Sequence, residues 1–301
     1  MAALLKTINW RAHNGKSGVP GINRNHVHED LVDVPRVAEQ QAIAAVLGAL
    51  DDKIESNRRT GSAAERAASQ VSQQVARIVT GTAIPDAWRI ASFAEAVVIN
   101  PQVRIARGAE TPFVEMAAVE PFATRPARLA RRGFSGGCKF ESGDVLFARI
   151  TGCIEHGKGA FVDFVEEPSA GSTEFVVFRG RPPLTPAVVF ALSRDERLRA
   201  HAIANMIGTS GRQRVDNSCW NAIDVAIAPM SDERRNAAAA AAGLMSLSRS
   251  LWSETRTLTA IRDALLPKLV SGQIRVPPTR DEQEAVGTVV VEFGDEFPSR
   301  E

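Results

Sequence analysis

The sequence is short of several things, and each shortage excludes a class of protein. Its 301 residues hold three cysteines, Cys138, Cys153 and Cys219. They are odd in number and make no CxxC, so neither a disulfide framework nor a paired-cysteine metal clip is expected. No apolar run reaches the roughly 18–20 residues that a membrane helix needs. The opening Met1-Ala2-Ala3-Leu4-Leu5-Lys6 lacks the basic-then-apolar pattern of a secretion signal, so a soluble, cytoplasmic protein with no membrane partner is expected. Excess charge is missing too: the net charge is +1, so a nucleic-acid site would have to be a local patch. Hydrophobic residues at 44% and charged residues at 24% are ordinary for a globular chain. The length suggests about two domains.

The chemistry of an enzyme is equally thin. The segment Gly152-Cys153-Ile154-Glu155-His156-Gly157-Lys158-Gly159 falls one residue short of a phosphate-binding loop. Gly159 stands where a magnesium-holding Ser or Thr belongs, and a strand-like run follows in place of a helix. Asp144, Glu155 and Lys158 supply the residue types of a metal-dependent nuclease, but not a diagnostic spacing. His26-x-His28 and Cys153-x-x-His156 lack a third ligand nearby, so no metal site is expected. There is no GxGxxG after a strand and no Asn/Asp-Pro-Pro-aromatic motif. No catalytic residue is therefore assigned.

What the chain does have is a repeat. Gly15-Lys16-Ser17-Gly18 returns as Gly208-Thr209-Ser210-Gly211. A short β-like segment ending in proline follows each (Leu31–Pro35 and Asp224–Pro229), then Glu39-Gln40 or Glu233-Arg234, then a long Ala-rich helical stretch. The stretches close alike, as Arg77-Ile78-Val79-Thr80-Gly81 and Lys268-Leu269-Val270-Ser271-Gly272. Four landmarks in the same order make a repeat that a lone GxSG would not.

Both stretches carry 4-3 spacing. The first collects Ile43, Leu47, Leu50, Ile54, Asn57, Gly61, Ala64, Ala68, Val71, Val75 and Ile78; the second collects Leu244, Leu247, Leu251, Glu254, Leu258, Ile261 and Leu265. Such narrow seams are what coiled coils bury. Asn57 on the first seam either sets register or marks a solvated spot. Ser231 with Asp232 and Glu233 reads as a helix start, Pro267 as a stop or kink, and Gly81 and Gly272 as C-terminal caps. A helix from Pro35 to Gly81 would be about 65–70 Å long.

Between the helices, Phe113–Met116, Asp144–Arg149, Gly159–Val165 and Glu174–Phe178 read as strands, and Ala187–Ile207 as a helix. The expected fold is α+β: a mixed α/β domain flanked by two long helices that form an antiparallel coiled coil. The expected boundaries are 1–35, the end of a further domain; 36–81, the first helix; 82–229, the central domain; 230–272, the second helix; and 273–301, an acidic tail.

Arg and Lys neutralise phosphates, and Arg and Gln can bond base edges in pairs. Arg125, Arg128, Arg131 and Arg132 cluster within eight residues. Arg149–Gly152, with Thr151, and Gly157-Lys158-Gly159 flank a turn, and Ser210, Gly211, Arg212, Gln213 and Arg214 follow the expected helix. These residues fit a DNA-binding surface, with Arg149, Thr151, Lys158, Ser210, Gly211, Arg212, Gln213 and Arg214 as its contacts. By themselves they leave open a coiled-coil scaffold whose central domain binds protein, and a nuclease that cleaves with magnesium unaided.

One resemblance favours the first reading. The run from Val34 to Arg59, VPRVAEQQAIAAVLGALDDKIESNRR, resembles the conserved helix of type I restriction–modification specificity (S) subunits. Gly143–Gly152 (GDVLFARITG) and Asn205–Arg214 (NMIGTSGRQR) resemble that family's target-recognition domain, and Ile261–Gly272 (IRDALLPKLVSG) its closing helix. The resemblance implies a non-catalytic reader of double-stranded DNA. Methyltransferase (M) subunits would dock on it to methylate adenine, and a restriction (R) subunit would join to cleave. S-adenosylmethionine, ATP and magnesium would reside on those partners, leaving this chain with no cofactor. A full subunit of the family has two recognition domains, and this sequence shows one. The resemblance thus implies that the chain pairs with itself or with a second half-specificity subunit, or is an inactive truncated remnant.

Overall fold

In a computed structural model, the described residues are 36–79, 81, 83–209 and 211–276. The expectations for Met1–Pro35, for Ser210 and for the acidic segment from Pro277 onward lie outside them. The chain divides into two compact units. One contains the described residues up to Arg58 together with those from Ser253 onward; the other runs from Arg59 to Trp252.

Two long helices carry the repeat, α1 (Val37–Ser72) and α5 (Asp232–Val270). In the first unit their segments run antiparallel. Arg262 Nη1 donates to Asp51 Oδ1 at 2.8 Å, and Lys53 Nζ lies 3.5 Å from Glu254 Oε1. Ile43 and Ile54 are buried there, as the seam requires. Asn57 is only 3% exposed and its Nδ2 has no acceptor among the described residues. The seam asparagine is therefore buried, not a solvated spot.

In the second unit the helices again run antiparallel, at close quarters. Ser248 Oγ donates to Glu65 Oε1 at 2.5 Å and lies 3.8 Å from where a Cβ on Gly61 would stand. Ala64, Ala68, Ala237, Ala238, Ala241 and Met245 are buried. The buried face of α5 is thus made by Ala241, Met245 and Ser248. The expected seam sits one position away: Leu247 and Ile261 are exposed at 45% and 43%, and Leu244, Leu251, Leu258 and Leu265 are half-buried. Small residues win the contact face because they let two backbones approach, which the 4-3 count of large apolar residues does not register.

The helix ends differ in one instructive way. Ser231 caps α5, its Oγ accepting from Arg234 N at 3.3 Å, and Gly272 closes it at φ +72°. Pro267 lies inside the helix, which continues to Val270. α1 stops at Ser72, short of the expected Gly81, and after a turn the chain becomes strand β1 (Ala76–Ile78). The matched repeat segments 77–78 and 268–269 thus adopt strand and helix respectively. Val75 and Ile78 are fully buried, but in the turn before a sheet and in the sheet itself.

That sheet has the order β1–β13–β2, with β2 at Arg89–Ser92 and β13 at Asp224–Ile227. After β2 come a one-turn helix α2 (Phe93–Ala96), boxed by Ser92 and Glu95, and β3 (Val97–Ile99). The central sheet follows as β3–β10–β7–β8, with β7 at Val145–Ala148, β8 at Gly159–Phe161 and β10 at Phe175–Gly180. All pairs in it are antiparallel. Both faces are covered, so its strands read as continuous apolar runs. Val145, Phe147, Val176 and Phe178 join one core with Phe93 and Trp220, while Leu146, Phe175 and Val177 join another with Val114 and Phe140.

A further sheet lies over the second core in the order β5–β4–β9–β6, with β4 at Glu110–Val114, β5 at Ala130–Gly133, β6 at Cys138–Phe140 and β9 at Ser169–Gly171. Over the first core pack α3 (Pro186–Ser193) and α4 (Glu196–Ala204). These replace the single helix expected over Ala187–Ile207. Asp195 accepts from Arg197 N at 2.9 Å and starts a second helix there. Val188, Leu192 and Leu198 are core as expected, Ile203 packs at its edge, and Ile207 is 61% exposed.

Candidate nucleic-acid interface

Two motifs that lie some sixty residues apart meet at one strand edge. Met206–Ile207 (β11) and Arg214–Val215 (β12) pair antiparallel as the arms of a hairpin, with Gly208 at φ +121° and Gly211 at φ +80° between them. The returning arm then pairs with the residues that extend β7. Val215 N donates to Arg149 O at 2.8 Å and Thr151 N to Gln213 O at 3.1 Å, and Ile150 bridges Arg214. Thr151 Oγ1 accepts from Gln213 N at 3.1 Å and reaches Gln213 O at 3.2 Å. Arg149, Thr151, Arg212, Gln213 and Arg214 are thereby brought together.

They are not equivalent in charge. Arg214 is exposed, but Glu174 clamps it through Nε–Oε2 at 2.8 Å and Nη2–Oε1 at 2.6 Å. The hydrogen bonds from Arg214 hold the Glu174 carboxyl below its usual range. Arg212 is exposed and has no side-chain partner among the described residues; its backbone N donates to Thr209 O at 3.0 Å. Arg149 is half-buried, donating from Nη2 to Val215 O at 2.9 Å, while its Nε is buried without an acceptor. Gly211 is exposed and Gln213 half-buried.

Lys158 emerges on the opposite side of β7, where Ala148 N donates to Lys158 O at 3.0 Å. Its ammonium reaches Met116 O at 3.4 Å. Gly157 beside it has φ +58°, and a Cβ there would lie 2.5 Å from the Phe122 ring. Arg194 fixes this turn from below, donating to Gly157 O at 2.6 Å, Gly159 O at 3.3 Å and Ala123 O. Burial pushes its guanidinium down to about 10. The Gly152–Gly159 segment runs from a turn straight into β8, so no helix N-terminus faces it.

The arginine cluster at 125–132 does not form a cationic patch. Arg125 is 5% exposed and buried in ion pairs, Arg128 lies 3.6 Å from Glu115, Arg131 bonds Glu167 at 2.7 Å, and Arg132 stacks over Phe113. Their charges were legible in the sequence, but the groups that meet them, such as Glu65 of α1, Asp163 and Glu167, come from elsewhere in the chain.

Asp144 is likewise spoken for. It is fully buried, takes Arg179 through Nε at 2.6 Å and Nη2 at 2.8 Å, and accepts from Glu141 N at 2.8 Å. It is a structural carboxylate. Among the described residues no three His, Cys, Asp or Glu side chains converge as metal ligands would. Burial pushes the Cys138 thiol up to about 12 and the Cys219 thiol to about 11, which disfavours the nucleophilic thiolate.

The class of fold is α+β, with the mixed sheets lying in sequence between two long helices whose segments run antiparallel within each unit. No family model and no curated protein matches the sequence. Among solved structures, the chain is similar to the HsdS subunit from Thermoanaerobacter tengcongensis, at 16% identity and a TM-score of 0.39, over 91% of this chain and 68% of that one. It is also similar to the S subunit of a type I restriction-modification system from M. genitalium, at 14% identity and a TM-score of 0.49, over 89% and 71%. A third similar chain belongs to a type I R-M system solved to explain complex assembly and conformational transition, at 17% identity and a TM-score of 0.40, over 91% and 68%.

Proposed function

We propose that the chain is the DNA-reading specificity subunit of a type I restriction–modification complex. The observation that carries this is the meeting of the 149–151 and 212–214 motifs on one strand edge. Donors suited to phosphates and base edges converge there, with the guanidinium of Arg212 unengaged among the described residues. The paired helices, which carry the segments resembling that family's conserved helices, would be the docking platform for M subunits. An R subunit would join the assembly in the cytoplasm. Methyl transfer and cleavage, with S-adenosylmethionine, ATP and magnesium, would belong to those partners. Asp144, engaged by Arg179, and the raised thiols of Cys138 and Cys219 favour a non-catalytic role for this chain.

In this role Arg212, Gln213 and Thr151 read or position bases, and Arg149 and Lys158 face phosphates. Comparing the adenine methylome of the host with and without the gene tests the role. Loss of one bipartite methylated motif is the expected result, and an unchanged methylome in a host with active M subunits refutes it. Arg212→Ala should cost about 1–3 kcal/mol in binding and relax one position of the motif; unchanged specificity would remove Arg212 from the reading surface.

A further inference from the structure

Several arginines of the central domain are bound by acids: Arg125 by Asp163, Arg131 by Glu167, Arg179 by Asp144, Arg197 by Asp195 and Arg214 by Glu174. One cleft gathers cations without an acid in its lining. It measures about 830 Å³ and is walled by the 100–106 loop and by residues 137–139 at β6, and floored by Phe175 and Val177. Arg104, Lys139 and Arg149 line it, and no carboxylate does. Arg104 is exposed, and neither it nor Lys139 has an ion-pair partner among the described residues; Lys139 lies over the Phe134 ring at 5.2 Å. Arg149 shares its field with Glu174 and Asp216, but Glu174 is taken by Arg214 and Asp216 by Ser218. Its Nε keeps no acceptor.

The walls are built rather than loose. Asn100 holds φ +52°, donates from its backbone N to Val177 O at 2.7 Å, and accepts from Val177 N through Oδ1 at 3.0 Å. This pins the start of the 100–106 loop to β10. On the other wall, Gly137 has φ +112°, and a Cβ there would stand 2.0 Å from Gly171 O, so only glycine lets β6 begin so close to β9.

We infer that this cleft is an anion site that seats the phosphodiester backbone of the bound duplex, with Arg104, Lys139 and Arg149 as its cations. The inference rests on the DNA-reading role proposed above and adds to it a surface outside the 208–214 hairpin. Arg149 links the two, its backbone paired with the hairpin's returning arm and its side chain in the cleft. In a chain of net charge +1, three cations around one acid-free cleft are a local electrostatic footprint, and phosphates bound there release counterions.

The test uses the full chain and its Arg104→Ala/Lys139→Gln variant, both at positions without ion pairs, so that folding is preserved. The wild-type chain first selects from randomised duplexes. Affinities for the selected and a scrambled duplex are then measured across NaCl concentrations. The expected result is that the variant loses affinity for both duplexes by the same factor and that its salt slope falls by about 2, roughly 0.9 for each lost phosphate contact. Unchanged affinity and slope overturn the cleft while the DNA-reading role stands. If the wild type selects no sequence, that role fails, and the cleft is judged on the scrambled duplex: a shallower variant slope sustains it and an equal slope overturns it. Inorganic pyrophosphate separates the other source of the same chemistry. If it raises the melting temperature of the wild type and not of the variant while the duplex slopes agree, the site takes free phosphates and the backbone assignment is overturned.

Discussion

Arg125 is the side chain whose removal the structure predicts to be most damaging outside the apolar core. Its guanidinium donates through Nε and Nη2 to Asp163 at 2.7 and 2.5 Å, through Nη1 to Ser248 Oγ at 2.9 Å and Glu65 Oε1 at 3.3 Å, and through Nη2 to Met245 O at 3.2 Å. The Trp252 ring lies 5.9 Å away. One cation thus ties a loop of the central domain to α1 and α5. Its side chain is 2% exposed, and those of Asp163 and Glu65 are 13% and 24% exposed. Arg125→Ala strands two largely buried carboxylates, a loss of about 3–5 kcal/mol. At about 2–4 °C per kcal/mol for a unit of this size, the melting temperature should fall by roughly 6–20 °C. Denaturant unfolding of Arg125→Ala, Asp163→Asn and the double variant is the assay. The double variant should lose clearly less than the sum of the singles, because removing Arg125 also removes the reason to keep the charge on Asp163. A loss below about 1 kcal/mol for Arg125→Ala, within the range of exposed pairs, or strict additivity would refute the buried-node reading.

Three further outcomes can be checked. Glu174 is held below its ordinary value by Arg214, so its contribution is fully present above its unfolded value near 4.5 and is lost as pH falls below it; the stability gap between wild type and Glu174→Gln, followed by urea midpoints, should close on acidification, and a gap that widens would contradict the pairing. Gly137→Ala forces a Cβ into Gly171 O at a φ that side chains avoid, and should cost more than about 1 kcal/mol; a neutral melting curve would mean that β6 can shift away. Asn57→Leu removes a buried amide without an acceptor and should raise the urea midpoint, by about 1–2 kcal/mol of stability, whereas a lower midpoint would show that the amide has a partner on the seam.

Periodicity and apolar runs made the larger elements legible. The strands over Val145–Ala148, Gly159–Phe161 and Phe175–Gly180 announce themselves because both faces of their sheet are buried, and α5 because a capping Ser231 precedes a long amphipathic run. Three things stayed hidden for physical reasons. The end of α1 at Ser72 is set by β13, which recruits Ala76–Ile78 from far along the chain. The contact face of α5 is set by how closely Ala241, Met245 and Ser248 let the helices approach, while the leucines that carried the seam stay half-exposed. At the site, the types of Arg149, Thr151 and Arg212–Arg214 were readable. Their convergence, the neutralisation of Arg214 by Glu174 and the cleft around Arg104 and Lys139 depend on pairings between remote strands, and local sequence carries no trace of them.

The pairing of β1 with β13 has a consequence for how such a chain can change. Ala76 faces Ile227, and Val75 O accepts from Ala228 N at 2.9 Å, so the path out of α1 and the path back towards α5 lie side by side. The segment between them therefore leaves and returns at neighbouring strands, and it is also packed on both helices through Arg125 and a shared apolar core. An exchange of that insert with breakpoints in those two strands would leave both helices as they are only if the new insert kept the face that meets Ala68, Ala237, Ala241 and Met245. The two strands are thus the place where such an exchange would cut, and the helix-facing core sets the condition on what could be exchanged.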